Sequence, residues 1–295
     1  MNPHRKRRLS AATSRTKLRA ATGAMGETFT GRVARWWHRG FRKSSFSAVY
    51  GLFLGLPAVV LTATFFDSVA AVTAGEAFWQ TDVFGYFAVG AAVWTLWFFG
   101  SIWTLGAPQP LHAYVFGHEL THAIWVWLWR GRVYEKKMWS SDGGYIITDT
   151  SNFWIALAPY FYPLYSLALI VIYGLASRFA DVAHATATFL LLTPLQWLYF
   201  LLGVTWAFHL TFTFWMIPKG QTDLTAHGNF FSLMVIYVMN LTLIIIFLTL
   251  ASPDLDFRTL GGNLLRHAED FSATAWRVLS VVWVHLFPGH PLPRF

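Results

Sequence analysis

Phe116–Ala123 reads FGHELTHA, and it lies within Leu111–Trp129, a stretch that is otherwise almost wholly apolar. His118 and His122 are four residues apart, so on a helix both imidazoles leave the same face, with Glu119 beside them. Two imidazoles in that arrangement hold a metal ion while the carboxylate serves as base toward water. The surroundings sharpen the reading. An ionisable side chain at membrane depth costs about 2.5–3.5 kcal/mol or more unless it is paired or metal-bound. Three such groups in one apolar segment therefore imply a compensating ligand. The bland alternative is a cluster of structural hydrogen bonds.

The rest of the chain supports membrane depth. Of its 295 residues, 55% are hydrophobic and 12% charged, with 16 Trp and 27 Phe, whereas soluble domains carry roughly 25% charged residues. There is no cysteine, which excludes disulfides and thiolate ligands and leaves a metal only N and O donors. The formal charge of +8 is concentrated at the start: 12 of the 22 Lys and Arg fall between Arg5 and Lys43, against one acid, Glu27. Ahead of apolar spans, such an arm reads as an anchor drawn to anionic headgroups rather than a nucleic-acid site. No apolar run follows it directly, so it does not read as a secretory signal. Arg32–Phe46, with Trp36, Trp37 and Phe41 among arginines, suits a short helix lying on the membrane.

The expected fold is an all-α polytopic membrane protein of about six transmembrane helices with a short membrane-associated β-hairpin. The expected spans are Ser47–Phe66, Val83–Leu105, Leu111–Trp129, Phe153–Ala176, Ala187–Ile217 and Phe230–Leu250. Residues 1–46 form the basic arm, 47–250 the membrane domain and 251–295 a tail with an amphipathic helix on Leu264, Ala268, Phe271, Ala275, Val278, Val282 and Leu286. The hairpin is expected over Val133–Met138 and Tyr145–Thr148, where Gly143 and Gly144 supply the turn. Its edge would accept an extended peptide as an added strand. Positive charge places the N-terminus in the cytoplasm. Alternation over six spans then puts the C-terminal tail inside and Arg130–Lys137 outside, against that loop's four positive charges.

Two histidines leave a zinc ion short of the usual three protein ligands. Asp223, in the polar stretch QTDLTAHGN, is the expected third, giving a two-histidine-one-carboxylate site. His227 and His209 are the alternatives, and N-capping the sixth span would be a purely structural role for Asp223. His112 and His184 read as interfacial residues. With zinc lowering the pKa of water to about 7, Glu119 would take the proton and pass it to the leaving amine.

GHELTHA in a membrane helix, followed by a GGY element and a later Asp-bearing segment, resembles the site-2-protease family of intramembrane zinc metalloproteases. That resemblance implies one zinc ion held by His118, His122 and Asp223, with Glu119 as the catalytic base. It implies that Gly143, Gly144 and Tyr145 edge the substrate, and that Asn152 helps polarise its carbonyl. Thr121 stands where many members have glycine, and Gln-Thr-Asp-Leu stands where they read Leu-Asp-Gly. The implied partner is a transmembrane or membrane-anchored protein substrate in the lipid bilayer, with no nucleic acid. The implied location is a bacterial inner membrane. A non-proteolytic metal-binding scaffold or transporter is the alternative, since kinked spans suit a transporter as well. Prenyl-protein proteases share the motif.

Overall fold

The structure, a computed structural model, describes residues 45–288 except 76, 77, 141, 142, 187 and 253. The basic arm and its expected surface helix lie outside the described residues. Nine helices appear among them: α1 (Ser45–Gly75), α2 (Asp82–Leu105), α3 (Leu111–Leu128), α4 (Phe153–Leu157), α5 (Leu164–Phe179), α6 (Pro194–Met216), α7 (Thr222–Ala226), α8 (Asn229–Ala251) and α9 (Phe257–Leu286). Strands β1 (Val133–Lys137) and β2 (Tyr145–Thr148) pair antiparallel as expected. Local signals account for several boundaries. Thr193 caps α6 in a reciprocal box with Gln196, so the helix begins at Pro194 rather than at Ala187. Gly106, in the left-handed region at φ 73°, closes α2.

Four helices are long and apolar enough to cross a membrane: 49–74, 82–105, 194–219 and 229–251. The pair 153–160 and 164–179, bent by 80°, makes a fifth passage if taken as one span. The expectation of six spans is therefore corrected, and α3 is the helix that drops out. Its 18 residues reach about 27 Å, short of a hydrocarbon core of about 30 Å.

Helix directions agree with this count. Helices α2 and α6 run parallel: Phe87 and Gly90 meet Gly203 and Phe200, Trp94 donates to Thr211 at 3.0 Å, and Phe98 packs on Trp215. Gly90 and Gly203 let these backbones touch, since a Cβ on either would overlap the facing carbonyl oxygen. Helices α1 and α8 also run parallel, with Gly51 against Phe230 and Thr62 bonded to Tyr237 at 2.7 Å. Helix α5 runs against α6, with Tyr165 on Phe208 and Ser166 bonded to Thr205.

Helix α3 begins and ends at the same end of the bundle. Gln109, just before it, is bonded to Trp97 and Ser101 near the close of α2. Trp125, near its end, stacks on Trp154, whose neighbour Phe153 packs on Phe231 at the start of α8. Helix α3, the hairpin and α7 thus share one end of the bundle, where α1 begins. The tail leaves from the other end, because α8 runs with α1. This corrects the expectation that tail and N-terminus share a side. The Arg130–Lys137 loop lies at the end where α1 begins.

Candidate metal centre

Helix α3 carries His118, Glu119 and His122 into the protein, with Glu119 and His122 both buried at 8% and 7% exposure. Tyr165 braces the turn before them by donating to the Ala113 carbonyl at 2.6 Å, and it packs where a side chain on Gly117 would stand. Thr121, at the position noted as unusual, is buried and bonds back to the Gly117 carbonyl at 2.7 Å. Asp223 arrives from the short helix α7, which Leu224 seats in a core with Leu157, Tyr160, Val235 and Ile236.

The three expected ligands meet. His118 Nε2 and His122 Nε2 are 3.2 Å apart, and Asp223 Oδ2 lies 3.4 Å from the first and 3.6 Å from the second. Among the described residues, His118, His122 and Asp223 form a group able to hold a metal ion. Bonds of about 2.1 Å to one tetrahedral ion separate donor atoms by about 3.4 Å. The three measured separations bracket that spacing.

Each ligand has a further hydrogen-bond partner, and for His122 that partner fixes what the ring presents inward. His122 Nδ1 lies 2.8 Å from the Ile155 carbonyl oxygen, which only accepts, so Nδ1 carries the proton and Nε2 offers a lone pair. His118 Nδ1 meets the Tyr114 hydroxyl at 3.1 Å. Tyr160, fully buried, donates to Asp223 Oδ2 at 3.3 Å, and its own carbonyl accepts from Asn240 at 3.0 Å. The His122 lone pair and the Asp223 carboxylate thus face one point beside His118 Nε2, an arrangement able to receive a cation.

Other expected residues are placed as follows. Gly143 takes φ 101°, a left-handed conformation that favours glycine. Gly144 is needed for a different reason: a Cβ there would stand 2.7 Å from both Glu119 Oε1 and the Lys137 carbonyl oxygen. The hairpin therefore lies directly on the expected base. Tyr145 turns its hydroxyl to Glu135 across the sheet at 2.6 Å. At the hairpin's foot, the Arg132 backbone N–H and the Thr150 hydroxyl hold the Asp149 carboxyl below its usual range. Asn152 Oδ1 caps α4 by accepting from Ile155 N at 2.9 Å. Since Ile155 in turn holds His122, Asn152 supports a ligand through the backbone.

His227 ends α7, and the N-cap position of α8 belongs to Gly228, so Asp223 is not that helix's cap. His112 faces Trp139, and His184 pairs with Asp181 at 2.9 Å. His209 lines a small cavity beside His118, with Tyr114, Thr121, Tyr165 and Thr205. Its Nε2 is buried there, with no hydrogen-bond partner among the described residues.

Sequence reasoning missed Tyr114, Ile155 and Tyr160. Tyr114 was reachable, because it stands one turn before His118 on the same face. The other two depend on the bend between α4 and α5, where Pro159 and Pro163 announce a break but not the partners it brings together. No protein-family model, curated protein or solved structure matches this chain.

Proposed function

We propose that the chain is an intramembrane zinc metalloprotease, cleaving peptide bonds of a membrane-protein substrate within or near the bilayer. The observation that carries this reading is the tetrahedral spacing of His118, His122 and Asp223 with a buried carboxylate, Glu119, next to them in sequence. Nitrogen and oxygen donors in a two-histidine-one-carboxylate set suit zinc. When bound, zinc supplies Lewis acidity toward a carbonyl and toward water. Glu119 accepts the proton from the attacking water and returns it to the leaving amine. Ile155, Tyr114 and Tyr160 hold the ligand side chains in register.

The hairpin lying over Glu119 supports a peptide as substrate, since β2 has one edge facing β1 and another left for an added strand. Gly143, Gly144 and Tyr145 would border that strand, and Asn152 would act through α4. The small cavity at His118 is large enough for water, which hydrolysis at this depth requires. Resemblance to the site-2 proteases adds to the reading. The positive charge of the arm and of Arg130–Lys137 supports a cytoplasmic N-terminus with the site on that side, and a bacterial inner membrane is the location proposed.

The test compares membranes containing wild type or Glu119→Gln, following membrane-protein fragments by mass spectrometry and metal content in parallel. Cleavage should disappear while bound zinc stays at one per chain. Equal fragments from both proteins would overturn the reading. Metal-dependent flux into vesicles, unchanged by Glu119→Gln, would assign the centre to a transporter instead.

A further inference from the structure

Helix α9 has 30 residues, and none of them is buried. It follows α8 at the end of the bundle away from the metal centre. Its sides are not equivalent. Leu260, His267, Phe271 and Ala275 are half-buried on the flank nearest α1, with Arg266 beside His267, while Arg258, Glu269, Asp270 and Arg277 lie across the helix, on a side that exposed Val281 and Val284 share toward its end. Between them runs an apolar flank of Leu264, Leu265, Ala268, Leu279, Val282 and Leu286, all exposed, with Leu265, Leu279 and Leu286 each at 60% or more.

The contact with α1 sets the helix's level. Asp67 accepts from Arg266 and from His267, the latter at 2.7 Å. The α1 span has 26 residues, about 39 Å, so about 4–5 Å extends beyond each face of a core about 30 Å thick. Asp67 stands seven residues before the end of that span at Ala74. It therefore lies about 6 Å beneath the core boundary, within the depth of about 5–10 Å at which interfacial helices sit. At that level Phe66 on α1 is exposed, as is the apolar flank of α9.

We propose that α9 is an interfacial helix embedded in the lipid leaflet opposite the metal centre, with its Leu264–Leu286 flank in the acyl chains and its Arg277 flank in water. The Asp67 clasp ties it to α1. The two ends of the molecule then differ: the basic Arg130–Lys137 loop is at the end holding the metal centre, and the amphipathic helix is at the other. This does not depend on what the metal centre does.

The chain lacks cysteine, so single substitutions report without a modified background. Full-length Lys136→Cys, Arg277→Cys and Leu279→Cys would be placed in sealed vesicles, with Val282→Cys as a second apolar-flank variant should Leu279→Cys fail to fold. A membrane-impermeant maleimide should label positions 136 and 277 from opposite faces. A nitroxide at 279 should meet oxygen several-fold more than a water-soluble nickel chelate, and one at 277 the reverse. Labelling of 136 and 277 from the same face would overturn the proposal, as would chelate access at 279 equal to that at 277. Spin–spin coupling between copies at 279 would also overturn it, assigning the flank to a second copy of the chain.

Discussion

Two aspartates in this molecule each face two nitrogen-bearing side chains, and the two arrangements differ in kind. At the far end, Asp67 takes hydrogen bonds from Arg266 and His267, with the imidazole nitrogen at 2.7 Å. That is a closed, charge-assisted pair in which protons already fill the space between the atoms. At the other end, Asp223 stands 3.4 and 3.6 Å from two imidazole nitrogens that are themselves 3.2 Å apart. Those separations are long for charged hydrogen bonds and suit three corners of a tetrahedron. Composition alone does not separate the two arrangements in this chain; the spacing of the donor atoms, which would admit a metal ion at Asp223 and not at Asp67, does.

The largest effect should come from the metal corner. His118→Ala and Asp223→Asn should each lower zinc affinity by more than the roughly 10–100-fold typical of losing a supporting partner, measured by competition with a chelator. Asp67→Asn should leave zinc affinity at the wild-type value. Equal losses at both aspartates would erase the distinction between them.

Gly144→Ala probes the hairpin over the corner. Its added Cβ must displace Glu119 Oε1 or the Lys137 carbonyl, so cleavage should fall at least tenfold, in line with what misplacing a reacting group by about 1 Å costs. Bound zinc should remain at one per chain. Unchanged cleavage would mean that the hairpin does not position Glu119.

Tyr160→Phe removes the hydroxyl that bonds Asp223 and should weaken zinc binding by about 10-fold, the lower end for a supporting partner. The smallest effect belongs to the clasp. Asp67→Asn removes the charge that Arg266 and His267 face and should lower the thermal unfolding temperature in detergent while bound zinc stays unchanged.

Much of the site was legible in the sequence because its parts are local. The HExxH spacing needs only a helix, and Asp223 stood out as a carboxylate in a polar break between spans. The hairpin was legible from a glycine pair between strand formers. The span count failed on α3, whose apolar composition resembles a crossing although its two ends meet the same end of the bundle. Composition registers the hydrophobic surroundings of a helix, which a protein core supplies as well as lipid does. The partners of the ligands were hidden for a related reason. Tyr160 reaches Asp223, and Ile155 reaches His122, only after α4 and α5 bend by 80°.

Zinc K-edge X-ray absorption of the purified protein, beside Asp223→Ala, addresses the metal corner itself. The account predicts one zinc per chain with imidazole and oxygen neighbours at about 2.0–2.2 Å, and loss of that zinc in the variant. Wild-type protein that takes up no zinc, or an identical spectrum from Asp223→Ala, would contradict it.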